Sequence, residues 1–254
     1  MIARTDTDKQ GLRASGAMLA RILRDVAERA VPGASALELD RFAREEIEAG
    51  GAVPIFLGYE AEGSTRPYPA TICVSINDAV VHGIPKAEAI IAEGDVVSLD
   101  CGLSYQGYVA DAAVTVIAGK GDEDAKRLAR GAREALEAGI RAAAPGAFTG
   151  DIGSAVSRVA DAYGLSVVRD LGGHGTGKKL HEEPYVANFG TPGKGGKLVP
   201  GMVLALEPIF TLGKGGIKLA SDEWTYLTRD GSRAAHFEHT IIVSEHGAEV
   251  VTRL

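Results

Sequence analysis

Apolar residues recur at helical spacing from Gly11 to Arg29, where Leu12, Met18, Leu19, Ile22, Leu23 and Val26 share one stripe, and Pro32-Gly33 stops the pattern. The spacing predicts a second helix from Ala36 to Ala49, with Leu37, Leu39, Phe42 and Ile47 inward and Gly50-Gly51 as its end. Residues 52–69 are rich in turn formers. Strand-like runs follow over Ala70–Ile76, Val96–Asp100 and Val109–Ile117, and the last two, joined through the turn from Gly102 to Gly107, read as a hairpin. Two more helices are predicted, Asp122–Ala143 closing at Pro145-Gly146 and Thr149–Tyr163 ending near Gly164. Further strands are expected near Ser166–Arg169, Met202–Phe210 and His236–Ser244, and the stretch 188–197 (NFGTPGKGGK) reads as a loop within a domain.

The second half repeats the first. An offset of 113 residues carries Pro32-Gly33 onto Pro145-Gly146, Leu39 onto Ile152 and Gly51 onto Gly164. Two helix–helix–strand halves are expected to pack as one pseudo-symmetric body around a central sheet. Residues 1–9 read as a flexible N-terminus and residues 10–254 as a single domain, a length that suffices for a well-buried core. The 33 glycines imply many turns and close backbone approaches, which favours an enzyme-like α+β fold over a helical bundle. A net charge of −7 with scattered basic residues leaves no electrostatic footprint for nucleic acid. Neither a signal-peptide core nor an apolar run of membrane-spanning length is present, and two cysteines make no disulfide framework, so a cytoplasmic protein is expected.

The chemistry concentrates in short strings. Asp100 stands in SLDCG, Asp111 in YVADAA, His174 in LGGHGTG, Glu207 in ALEPIF and Glu238 in HFEHT. Four carboxylates and one neutral imidazole are what a pair of divalent ions needs to be neutralised yet left open to water. Taken singly, Asp100 and Asp111 also suit turn caps; pairing of the hairpin around Gln106 would instead make them face one another. Glu207 and Glu238 lie in apolar strand sequence and are paired, protonated or metal-bound there. Three of the six histidines (His82, His174 and His181) stand beside glycines or acidic clusters, which suits a site better than three separate structural roles. Gly172–Lys179 mimics a phosphate-binding loop, but Lys179 replaces the expected Ser or Thr and Pro184 follows where a helix should start.

In order and spacing, NDAVVHGIP, the Asp100/Asp111 hairpin, GGHGTGKKLHEEP, LALEPIF, WTYLT and FEHTIIV resemble the methionine aminopeptidases of type I over residues 10–252. The resemblance implies an α+β pita-bread fold, two pseudo-symmetric halves around a mostly antiparallel central sheet. It implies two divalent metal ions (cobalt, manganese, iron or zinc) held by Asp100, Asp111, His174, Glu207 and Glu238. His82 and His181 are then substrate contacts, His82 near the scissile amide and His181 at the developing oxyanion, with Glu207 relaying a proton. Tyr59, Tyr68 and Trp224 fall where such enzymes line a methionine pocket. The implied reaction removes the first methionine from nascent polypeptides with a small second residue, by attack of a metal-activated hydroxide; the resemblance also implies a monomer, and the activity implies work at the ribosome. Phe56 and Leu180 replace a cysteine and a phenylalanine frequent near that pocket, and the turn at residues 60–66 is longer than usual. The short span from His181 to Glu207 lacks the insertion of type II relatives. A proline-specific relative would need a large N-terminal domain for which the chain has no room, and a pita-bread binding module would have lost some of the five positions that stand here.

Overall fold

The computed structural model describes residues 1–60 and 64–253. In the first half, helices α1 (Asp6–Ala27) and α2 (Ala36–Ala49) precede strands β1 (Val53–Pro54), β2 (Ile72–Ile76), β3 (Ala79–Val81), β4 (Val96–Tyr105) and β5 (Tyr108–Ile117). In the second, α3 (Glu123–Ala142) and α4 (Thr149–Tyr163) precede β6 (Ser166–Val167), β7 (Gly172–Gly175), β8 (Glu182–Ala187), β9 (Val203–Leu206) and β10 (Ile209–Thr211). The chain ends through β11 (Ile217–Leu219), β12 (Tyr226–Thr228), β13 (Ala234–His236), β14 (Glu238–Ser244) and β15 (Gly247–Val250). A nine-stranded antiparallel sheet runs β1-β4-β5-β14-β9-β7-β8, with β2 on β4 and β15 on β14.

Helix α1 begins at Asp6 rather than Gly11. Its first turn is polar and gives no apolar stripe, but Thr5 and Asp8 form a reciprocal cap: the Thr5 hydroxyl accepts from Asp8 N, and the Asp8 carboxylate accepts from Thr5 N, each at 3.1 Å. Residues 1–9, expected to be flexible, are tied down ahead of it. Ile2 bridges to Met202, Ala3 N donates to Gly201 O at 2.7 Å, and Ala3 is buried with Leu12, Val203, Ile242 and Val251.

The repeat is real in three dimensions. Gly33 and Gly146 share positive φ (93° and 85°), as do Gly51 and Gly164 (71° and 60°), so matching turns need glycine for the same reason. Gly33 N donates to Ile91 O at 2.8 Å and Gly146 N to Leu198 O at 2.9 Å, while Ser35 bridges Ile90 as Phe148 bridges Lys197. Even the acidic caps match, Glu38 accepting from Ser35 N and Asp151 from Phe148 N. In the strands, Gly94 N donates to Ala118 O and Gly201 N to Val243 O, each at 2.7 Å, and this alignment carries Asp100 onto Glu207.

Alternation along the strands sorts the two faces of the sheet. Val97, Leu99, Cys101, Leu103, Ala110 and Ala112 pack under α1 and α2, whereas Leu204, Leu206, Ile241 and Val243 pack under α3 and α4. Asp100, Asp111, Glu207 and Glu238 occupy the intervening positions and therefore share the face turned away from the helices.

The hairpin is longer than its apolar run and its register differs by one step from the expected one. Tyr105 pairs with Tyr108 around Gln106 and Gly107, whose positive φ values (51° and 78°) suit a two-residue turn. Asp100 consequently lies opposite Ala113 and Asp111 opposite Gly102. The two carboxylates are diagonal neighbours on one face, not a directly facing pair.

Candidate metal centre and substrate pocket

Four strands and one turn bring the acidic and imidazole side chains together. Asp100 and Asp111 come from the β4–β5 hairpin, His174 from β7, Glu207 from the turn after β9 and Glu238 from the start of β14. Asp111 is clamped to β14: its N–H donates to Thr240 Oγ1 at 2.9 Å, and that hydroxyl donates back to Asp111 O at 2.7 Å. His174 Nε2 lies 3.8 Å from Asp111 Oδ2 and 3.7 Å from Glu207 Oε1. Asp111, His174 and Glu238 each present a ligand atom within 4.8 Å of the others.

The GGHGTG string is explained by close backbone approach. A Cβ at Gly173 would stand 2.3 Å from Ala205 O, and one at Gly175 2.2 Å from Glu183 O, so the strand carrying His174 fits between β9 and β8 only with glycines there. His174 Nδ1 lies 2.9 Å from Gly175 O. A carbonyl can only accept, so Nδ1 carries the proton and Nε2 offers its lone pair to the acidic cluster, the arrangement expected of a ligating histidine.

The electrostatics are those of a cation site. Asp100, Asp111 and Glu238 are buried, and among the described residues no lysine or arginine forms an ion pair with them or with Glu207. Asp100 Oδ1, Asp111 Oδ1, Glu238 Oε1 and the Nε2 of His236 are buried without a hydrogen-bond partner. Burial pushes Asp100 up to about 7. Burial and then the neighbouring carboxylates push Asp111, Glu207 and Glu238 well above the usual range. Burial also lowers His174 to about 4, with repulsion from His181 adding to it. Orphaned carboxylate oxygens facing a neutral imidazole are costly alone and are satisfied by divalent metal, so the donor set fits such ions.

A cavity of about 180 Å3 is lined by Phe56, Tyr59, Tyr68, Cys73, Leu180 and Trp224 together with the acidic cluster. Trp224 meets Tyr68 edge-on at 5.2 Å and donates from Nε1 to Arg66 O at 3.2 Å. All three aromatic residues expected from the sequence line this cavity, as do Phe56 and Leu180. Cys73 also lines it, buried, and the thiol is held protonated by burial. The centre of the 60–66 turn, residues 61–63, lies outside the described residues; Thr65 reaches from its end to the Glu223 carboxylate.

His82 and His181 line the same cavity and also a neighbouring cleft shared with Glu183, Tyr185 and Glu207. His82 holds a positive φ of 57° between Trp224 and Tyr226, an uncommon backbone for a side chain of its size. Its ring is lowered to about 4 by burial and then by His181. The rings of His181 and His174 are 4.4 Å apart, and the Tyr59 hydroxyl stands 2.6 Å from His181 Nδ1.

His236, absent from the expected set, completes the cluster. Its Nε2 lies 3.5 Å from Glu207 Oε2 and 3.9 Å from Glu238 Oε2. The sequence repeat, at an offset of 113, gave no sign of it; only the structural relation that carries Ala118 onto Val243 also carries Asp111 onto His236.

Comparison with known proteins agrees with this geometry. Residues 10–245 match metallopeptidase family M24. The methionine aminopeptidase of Aquifex aeolicus is 45% identical over 96% of this chain and 95% of its own, and methionine aminopeptidase 1 of Mycobacterium tuberculosis is 42% identical over 98% and 94%. The crystal structure of methionine aminopeptidase from Thermotoga maritima superposes with a TM-score of 0.95 at 41% identity, covering 100% of both chains. A Pyrococcus horikoshii prolidase, 19% identical, shares the fold with a TM-score of 0.74 over 99% of this chain and 63% of its own. The α+β fold is thus the two-halved pita-bread arrangement, and the chain belongs to metallopeptidase family M24 and, within it, to the methionine aminopeptidases.

Proposed function

We propose that this chain removes the N-terminal methionine from nascent proteins and peptides whose second residue is small, working as a dinuclear metallo-aminopeptidase with residues 10–254 as its catalytic domain. The observation that carries the reading is the juxtaposition of orphaned carboxylate oxygens and the His174 lone pair with an apolar cavity of about 180 Å3. Asp100, Asp111, His174, Glu207 and Glu238 would hold two divalent ions, and a donor set so rich in carboxylate accepts cobalt, manganese, iron or zinc. When bound, the ions neutralise the cluster and supply an acidified water for attack on the scissile carbonyl.

The chain's own residues then divide the remaining work. Tyr68 and Trp224, fixed edge-on, and the apolar Phe56, Tyr59 and Leu180 grip a flexible thioether through dispersion and sulfur–aromatic contact. The acidic end of the cavity receives the free α-amino group, which confines cleavage to the first peptide bond. His181 donates from Nε2 to the developing oxyanion, a kind of contact worth about 3 kcal/mol. Glu207 carries the proton to the leaving amine, with His82 beside it. The partners are N-termini of nascent chains at the ribosome, met by a cytoplasmic monomer; no helix among the described residues is long and apolar enough to cross a membrane.

The test is release of free methionine from Met-Ala-Ser, in parallel with Leu-Ala-Ser, with manganese or cobalt added and with EDTA. Metal-dependent release from the first peptide alone is expected. Release from both would sink methionine selection, and release from neither by metal-loaded protein would sink the peptidase reading.

A further inference from the structure

His236 is buried, yet its Nε2 has no hydrogen-bond partner and faces the Glu207 and Glu238 carboxylates at 3.5 and 3.9 Å. Its backbone is held on both sides. Its backbone N–H donates to Thr115 Oγ1 at 3.0 Å, and that hydroxyl, itself 2.9 Å from Ser98 Oγ, donates to His236 O at 2.7 Å. Pairing with Ile209 holds the same residue from the other side. A buried side chain on so fixed a backbone, aimed at two acceptors, is in the position from which outer partners orient metal-ligating carboxylates.

We propose that His236 is a positioning residue of the metal centre, donating from Nε2–H to Glu207 and fixing the direction in which that carboxylate meets the metal. The role rests on the metal-centre reading above. The Glu207 backbone is anchored, its carbonyl oxygen accepting from Asn188 Nδ2 at 2.9 Å. A small rotation closes the 3.5 Å gap to a hydrogen bond, and the donor then occupies one Glu207 oxygen while the other, 3.7 Å from His174 Nε2, remains for the ion.

Two substitutions separate the donor from the ring. His236→Gln keeps an N–H donor, and His236→Phe keeps the ring volume without one. Dissociation constants for manganese and cobalt are measured by calorimetry on chelator-stripped protein, with circular dichroism and thermal melting to confirm folding and the visible absorption of bound cobalt as a second readout. His236→Phe should weaken metal binding about 10–100-fold, the usual effect of losing such a partner. His236→Gln should stay within about threefold of the parent, with the cobalt bands unmoved. If His236→Phe fails to fold, His236→Ala takes its place with the same expectation. Unchanged affinity in the donor-less variant overturns the proposal. So does equal weakening in both variants with shifted cobalt bands, which would make His236 a ligand. A parent protein that binds neither metal would instead overturn the functional reading itself.

Discussion

The Tyr59 hydroxyl and His181 Nδ1, 2.6 Å apart, link the apolar cavity to the row of imidazoles. With the phenol as donor, Nδ1 of the imidazole, which burial keeps neutral, is the acceptor. The remaining proton then sits on Nε2, where a donor to an oxyanion is needed. Tyr59→Phe should lower kcat for Met-Ala-Ser about tenfold, one neutral hydrogen bond's worth, with a smaller change in KM. Unaltered kcat would mean that His181 keeps its tautomer without help.

The proposed proton relay ties Glu207 to the reaction and not to folding. Its carboxyl is pushed well above the usual range by burial and by Asp100, so a neutral amide of the same shape suits the apo fold as well. Glu207→Gln should leave the melting temperature of chelator-treated protein level or higher while kcat falls by at least about a hundredfold. Near-normal turnover would remove Glu207 from the proton relay.

The cluster also sets how stability responds to pH. Asp100 is held near 7, and Asp111, Glu207 and Glu238 are held above the ordinary carboxylate range, so the folded chain keeps protons that the unfolded chain has already lost. Their contribution is complete below the unfolded pKa of about 4 and is lost as pH rises through the folded values. Chelator-treated protein should therefore melt lower at about pH 8 than at about pH 5.5, and saturating manganese should reverse the trend. Metal binding near neutrality should release protons, visible as a buffer-dependent calorimetric enthalpy. A melting temperature independent of pH after chelation would contradict the burial of these charges.

Leu180 and Phe56 line the cavity together with Tyr68 and Trp224. Leu180→Ala should enlarge it and improve kcat/KM for Leu-Ala-Ser relative to Met-Ala-Ser about tenfold, the range that a methylene or two commands in an apolar pocket. Phe56 also packs against Gly102, where a Cβ would stand 2.8 Å from its ring, so Phe56→Ala should lower stability as well as selectivity. Loss of stability without any change in the peptide ratio would place Phe56 in the core alone.

Much of this was legible in the chain. Helices α2, α3 and α4 follow apolar stripes with glycine or proline stops, and the faint repeat reappears as matching turns at Gly33 and Gly146. Each expected ligand sits on the face away from the helices because period-2 alternation put it there. What escaped has local causes. The start of α1 depends on the Thr5–Asp8 cap, which no apolar period reveals. The hairpin register depends on Gln106 adopting positive φ, so the tight turn sits one step later than symmetry about Asp100 and Asp111 suggests. His236 was hidden because it is read against Glu207, distant in sequence, and not against the FEHT string that contains its neighbours.

The alignment of Asp100 with Glu207 has a consequence for assembly of the chain. Asp100 and Asp111 precede the connection into α3, and His174, Glu207 and Glu238 follow it. A break in the exposed stretch at residues 119–122 would leave two polypeptides, one with carboxylates only and the other with the imidazole and two glutamates. Neither fragment would own a complete coordination sphere, so ion uptake would become a bimolecular event whose strength depends on fragment concentration. In the unbroken chain the same division means that ions held by the proposed ligands would tie the two halves to one another.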